Sequence, residues 1–179
     1  MRSLAGSFLI SRPELADPNF DGTLTLILEH DEDGALGVVI NRPTEVLVAE
    51  AYPGWDSVAE APAVIFQGGP VETDSLIALG WGERMDGDLP LGLTSVDLEE
   101  QVPLVVADGL EKLRIFAGYA GWGGGQLEGE LANGAWWVVP CLRDDVFLAD
   151  PERLWAMVLR RNGGEMAWFA HYPKDPSLN

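Results

Sequence analysis

The sequence predicts an α+β protein folded as one domain, and three observations lead there. Strand-like and helix-like stretches follow one another irregularly, which argues against a doubly wound parallel sheet. An apolar run, an acidic turn with glycine and a second apolar run spell out a hairpin over residues 23–40. A chain of 179 residues, 47% hydrophobic and with seven tryptophans, has enough apolar surface for one sizeable core. No repeat, low-complexity segment or linker divides it, so residues 1–172 read as one domain and 173–179 as a loose C-terminal tail.

Taken in order, residues 6–11 (GSFLIS) read as a first strand. Pro13 and Asp17-Pro18-Asn19 end it, because proline fixes φ and pushes its predecessor towards extended geometry. Residues 23–30 (TLTLILEH) are almost wholly apolar, as in a strand covered on both faces. Asp31-Glu32-Asp33-Gly34 turns the chain, residues 35–40 return as a third strand, and Asn41-Arg42-Pro43 stops it. Thr44 is placed to cap a short helix reaching Ala51. Residues 52–62 follow as loop with at most one helical turn. Residues 63–67 form a strand broken by Gly68-Gly69-Pro70, residues 75–81 form another, and 91–96 form a short one after the turn Asp86-Gly87-Asp88. Residues 99–108 are helical, beginning near Pro103, where a missing N–H does least harm.

Residues 114–136, RIFAGYAGWGGGQLEGELANGAW, organise the chain. A buried strand over 114–119 runs into Gly121, Gly123, Gly124 and Gly125, and a short helix over 126–132 follows, stopped by Gly134. Residues 136–140 are a strand, and Asp144-Asp145 turns the chain into its clearest helix. There Asp150 is the expected N-cap, Pro151 and Glu152 occupy the first turn, and Gly163 follows the last. Leu154, Trp155, Val158 and Leu159 make one apolar face, and Arg160 and Arg161 suit the negative end of the helix dipole. Trp168 and Phe169 are expected to dock back onto the core.

Eleven basic against 29 acidic residues leave a net charge of −18, which repels nucleic acid and anionic lipid, so neither is an expected partner. The single cysteine, Cys141, excludes an internal disulfide and a cysteine-based metal cage, and reads as a small core residue. No long apolar run follows Arg2, which predicts a cytoplasmic protein.

Two groups of residues are candidates for binding. The first is Gly121, Trp122, Gly123, Gly125 and Gln126, where a strand meets a helix and backbone N–H groups converge. No Lys-Ser/Thr pair follows these glycines, and the third glycine of a dinucleotide fingerprint would fall at Gln126. A steric corner is therefore favoured over a ligand cradle. The second group is Glu29, His30, Asn41 and Arg42. Arg42 could present its guanidinium to an anion or pair internally with a carboxylate, and both readings stay open. His30 reads as a hydrogen-bonded strand end; with only two histidines and no paired spacing, a metal site is not expected. No nucleophile elbow and no cofactor motif occur, so no cofactor is expected. Trp55, beside Pro53-Gly54, is the tryptophan expected to be exposed as a contact surface.

The stretch GYAGWGGGQLEGE closely resembles the GYAGWGPGQLE signature of the AlgH/YqgE family of bacterial proteins, whose biochemical activity is not established. The resemblance spans roughly residues 6–161 and keeps the family's motif order. Asp17-Pro18-Asn19-Phe20, Glu29-His30, Gly34, Gly37, Asn41-Arg42-Pro43 and Gly68-Gly69-Pro70-Val71 are in place ahead of the central stretch, and the closing helix follows it. Two departures stand out: Gly124 where relatives often carry proline, and no histidine over residues 75–80. The resemblance implies a branched, partly barrel-like sheet surrounded by helices, and it transfers no catalytic residues. The family's namesake is named for regulating alginate production, so indirect transcriptional regulation is one expectation. The leading expectation is a non-enzymatic binding or regulatory protein acting through a protein or small-ligand partner. The alternative is an enzyme or anion binder near Asn41-Arg42 and the Gly121–Gly125 corner.

Overall fold

Nine strands make one branched sheet, and its branch point is the stretch that organises the sequence. A computed structural model describes residues 2–15 and 17–171, so the expected tail lies outside the described residues. The strands are β1 (Ser7–Ser11), β2 (Thr25–His30), β3 (Gly34–Val39), β4 (Pro43–Leu47), β5 (Val64–Gln67), β6 (Val71–Trp81), β7 (Thr94–Ser95), β8 (Lys112–Gly123) and β9 (Trp136–Pro140). The helices are α1 (Val48–Ala51), α2 (Val102–Ala107), α3 (Gln126–Ala132), α4 (Arg143–Val146), α5 (Pro151–Asn162) and α6 (Gly164–Phe169). The sheet runs β4-β5-β8-β3-β2-β1-β9, with β6 and β7 added beside β8, and it curls into a half-barrel of α+β class.

The branch lies within β8. Its first half is parallel to β5 and antiparallel to β6, with Phe116 opposite both Phe66 and Ile77. Its second half is antiparallel to β3, from Ala120 opposite Gly37 to Gly123 opposite Gly34. Gly118, at φ 75°, sits between the two halves. A Cβ there would fall 2.5 Å from the Gly69 carbonyl oxygen, so only glycine lets the two arms approach.

Alternation along the strands places apolar side chains on both faces of this sheet. Phe8, Ile10, Leu26, Leu28 and Val38 face Leu154, Val158 and Leu159 of α5, while Leu9, Ile27 and Ala35 face the other way, onto Trp122, Leu127 and Trp136. A further cluster joins Ile65, Ala78 and Ile115 to Val48, Trp55 and Val105. Residues 23–28 carry no charge and are buried throughout because both faces of β2 are covered there. Arg114 is a buried charge at the heart of the core, 2% exposed. Its guanidinium lies over the Phe66 ring and donates to the carbonyls of Ala61, Val146 and Leu148. Burial pulls it down to about 10, so it remains charged at neutral pH.

Several local expectations give way to longer-range pairing. Residues 43–47 are a strand rather than the start of a helix, because β4 pairs with β5. Thr44 donates its hydroxyl to the Ile65 carbonyl instead of capping, and α1 begins at Val48. The strand expected over 75–81 begins at Val71, and that expected over 91–96 is a 3-10 turn, Pro90–Gly92, followed by the two residues of β7. β8 continues four residues past Tyr119, so Gly121 and Gly123 are strand residues. Asp144-Asp145 lies in α4 rather than in a plain turn. Asp150 makes no capping hydrogen bond to α5. Trp55 is not exposed: it is 3% accessible, and its indole donates to the Leu98 carbonyl. Arg161 reaches from the end of α5 to Asp145 with contacts of 3.0 and 2.7 Å. Phe169 docks against Trp137, as expected, whereas Trp168 is 59% exposed.

Candidate functional site

The corner between β8 and α3 is built by its own side chains. Gly125 adopts φ 75° at the N-cap of α3, which lets a strand turn directly into a helix. The Gly123 N–H donates to the Gln126 side-chain oxygen at 3.1 Å, so the first residue of α3 reaches back and engages the last N–H of β8. One turn on, at the i,i+4 spacing that aligns side chains on a helix, the Gln126 amide donates to Glu130 Oε1 at 3.0 Å. Glu130 Oε2 accepts the indole N–H groups of Trp122 and Trp136, at 3.0 and 2.8 Å. A single half-buried carboxylate therefore orients two tryptophans and the amide.

Phe20 completes an aromatic cluster, stacked on Trp122 with centroids 6.3 Å apart and edge-on to Trp136 at 5.2 Å. Beside it opens a cleft of about 180 Å³, bounded by Asp17, Phe20, Pro70, Val71, Gly121 and the Glu130 carboxylate. The loop carrying Asp17 and Phe20 is held from behind by two residues of the second candidate group, Asn41 and Arg42. Asn41, 8% exposed, accepts the Leu24 N–H and donates to the Gly22 carbonyl. Arg42 donates to the carbonyls of Pro18, Asn19 and Asp21 at 2.8–3.2 Å. Arg42 is thus engaged internally, though by backbone carbonyls and not by the carboxylate expected of an internal pair.

Of the residues singled out in sequence, Gly121, Trp122 and Gln126 meet in the cleft, Gly123 and Gly125 shape the corner, and Asn41 and Arg42 brace its wall. Glu29 is exposed on β2 and does not line the cleft. His30 is a structural link, its side chain 2% exposed. Its Nδ1 accepts the Leu4 N–H, so Nε2 carries the proton and donates to Glu128 Oε1 at 2.8 Å. Glu128 is held below the usual carboxylate range by its own backbone N–H and then by His30. Cys141 is buried, and desolvation, reinforced by Asp145, pushes its thiol far up. Among the described residues, no group of three metal-ligating side chains gathers. No helix among them is long and apolar enough to cross a membrane.

Sequence reasoning left out Asp17, Phe20, Glu130 and Trp136 as site residues. The Gln126/Glu130 spacing on a short helix was the available signal for one of them. Nothing local ties Phe20 or Trp136 to the corner. Gly124 avoids positive φ, as a position where relatives carry proline should. A Cβ there would nevertheless lie 2.8 Å from the Glu32 carbonyl oxygen, so the hairpin turn of this chain presses on the corner.

Residues 8–167 match the AlgH-like family model. A UPF0301 protein of Streptomyces avermitilis is 52% identical over 187 residues, covering 99% of this chain and 96% of the relative. One of Streptomyces coelicolor is 49% identical with the same coverage. Among solved structures, a crystal structure of a Corynebacterium diphtheriae protein superposes with a TM-score of 0.86 at 27% identity, covering 96% of this chain and 94% of that one. The solution structure of AlgH from Pseudomonas aeruginosa gives 0.67 at 34% identity, covering 98% and 100%. The matched region contains all of the sheet but Ser7, the glycine corner and every residue bounding the cleft, and on that basis the chain belongs to the AlgH-like family.

Proposed function

We propose that this protein is a non-enzymatic binding protein whose cleft between the 17–20 loop, the start of β6 and the β8–α3 corner receives a small group from a protein or small-molecule partner. One observation carries the reading. Stretches far apart in sequence, Asp17 to Phe20, Pro70-Val71 and Gly121 to Glu130, converge on one aromatic-walled cleft, and Asn41-Arg42 braces it. These are also stretches that carry the family resemblance. Aromatic walls with a few fixed polar groups are the usual composition of a ligand site. Its groups capable of acid–base chemistry are Asp17 and Glu130, and Glu130 is already held by three N–H donors, which favours binding over catalysis. The net charge of −18 favours a partner other than nucleic acid.

A fragment screen read by the indole N–H resonances of Trp122 and Trp136 tests the reading. Compounds that bind should shift both resonances. Val71→Trp, at a position 36% exposed on the cleft rim, should abolish the shifts while leaving the thermal midpoint within a few degrees. Compounds that bind only elsewhere, such as beside Arg42, would overturn it.

A further inference from the structure

Resting on that reading, we infer that the cleft selects a cation: the guanidinium or ammonium end of an alkyl side chain or small amine. The first ground is charge. Asp17 and Glu130 both line the cleft and no basic side chain does. The Trp122, Trp136 and Gln126 N–H groups are directed at Glu130 and balance its charge only with dipoles. A carboxylate offers about four acceptor positions, so Glu130 keeps capacity for one further donor. Asp17 Oδ1 accepts the Asn19 N–H at 2.9 Å, and the acid has acceptor capacity beyond that bond. Half-buried carboxylates without a counter-charge are unfavourable, and an incoming cation relieves that.

The second ground is the wall. Phe20, Trp122 and Trp136 pack against one another and all line the same space, and cations are attracted to aromatic rings by the ring quadrupole. An anion would meet two carboxylates, and a neutral polar ligand would find lining side chains that mostly accept hydrogen bonds. Size is the third ground. About 180 Å³ is below the roughly 300–1,000 Å³ of drug-sized pockets. Such a cleft takes the end of an alkyl side chain or a small amine in preference to a drug-sized molecule. The chain-wide charge of −18 adds long-range attraction of the same sign.

The test titrates the full-length protein with four probes, following the Trp122 and Trp136 indole resonances. The probes are agmatine, a capped arginine tripeptide, the same tripeptide with citrulline, and methyl glucoside. Arginine or agmatine should shift both indoles saturably, at least about tenfold more tightly than citrulline, with weakening at high salt. Agmatine alone binding assigns a free amine as the source, and the tripeptide alone binding assigns a peptide. Asp17→Asn and Glu130→Gln should each weaken binding several-fold. Asp17→Asn carries the test if loss of the Glu130 charge disturbs the tryptophans. Wild-type affinity in Asp17→Asn, or equal binding of arginine and citrulline, overturns the inference. Glucoside or citrulline shifting the indoles while both cations fail sinks the charge selectivity and leaves the binding cleft standing. Silence of both indoles to every probe sinks both.

Discussion

His30 and Glu128 show how a pair that resembles catalytic machinery serves the fold. The histidine accepts from Leu4 on one side and donates to Glu128 on the other, pinning the start of the chain and the outer face of α3 to the end of β2. Glu128 is depressed below its ordinary value of 4.5. A carboxylate depressed in the folded state adds stability above its unfolded pKa and loses it as pH falls through the folded one. Glu128→Gln is therefore expected to lower the urea midpoint at pH 7, with the two proteins converging as pH drops well below 4.5. A gap that stays constant with pH would show that the charge of Glu128 is irrelevant. His30 was legible as a structural residue because a lone histidine at a strand end lacks partners for chemistry. Arg42 was not legible, since its acceptors are carbonyls, which every residue carries and no motif announces.

Among the elements, α5 shows where a local signature misleads. Asp-Pro-Glu ahead of an amphipathic stretch fixes the helix start correctly, with Pro151 first and Gly163 after the end. Yet Asp150 forms only a 3.8 Å pair with exposed Arg153, while the stabilising acid is Asp145. Asp145 accepts the Leu142 N–H at 2.9 Å and grips Arg161 with both oxygens. It thereby ties α4 to the last turn of α5. Asp150→Ala should change stability by less than about 0.5 kcal/mol. Asp145→Ala should cost about 2 kcal/mol, because it removes a cap and strands a partly exposed guanidinium. Equal losses in chemical denaturation would contradict this. The difference was invisible in sequence because residues 145 and 161 meet only once α5 has packed. The Thr44 cap failed for the same reason, through a strand partner about twenty residues away.

At the scale of the molecule, composition and apolar runs gave the α+β class, the hairpin and most strands, since those depend on neighbours in sequence. The branch at β8 was visible only through resemblance, because its partners lie at residues 34–37, 65–67 and 71–81. The cleft inherits that opacity: its walls come from four separate parts of the chain. The position of β8 also bears on how the protein is made. Translation releases β3, β5 and β6 long before residues 112–123, the strand that joins them, and the outer edge of β1 waits for β9 at residues 136–140. At about 5–20 residues per second, the nascent chain carries unpaired strand edges for on the order of ten seconds. A chain ending at residue 110 should therefore show no cooperative unfolding transition by circular dichroism, and a sharp one would mean that the first half folds alone. The surplus of acidic residues then acts before the fold exists, keeping half-made chains apart by mutual repulsion until the shared strand arrives.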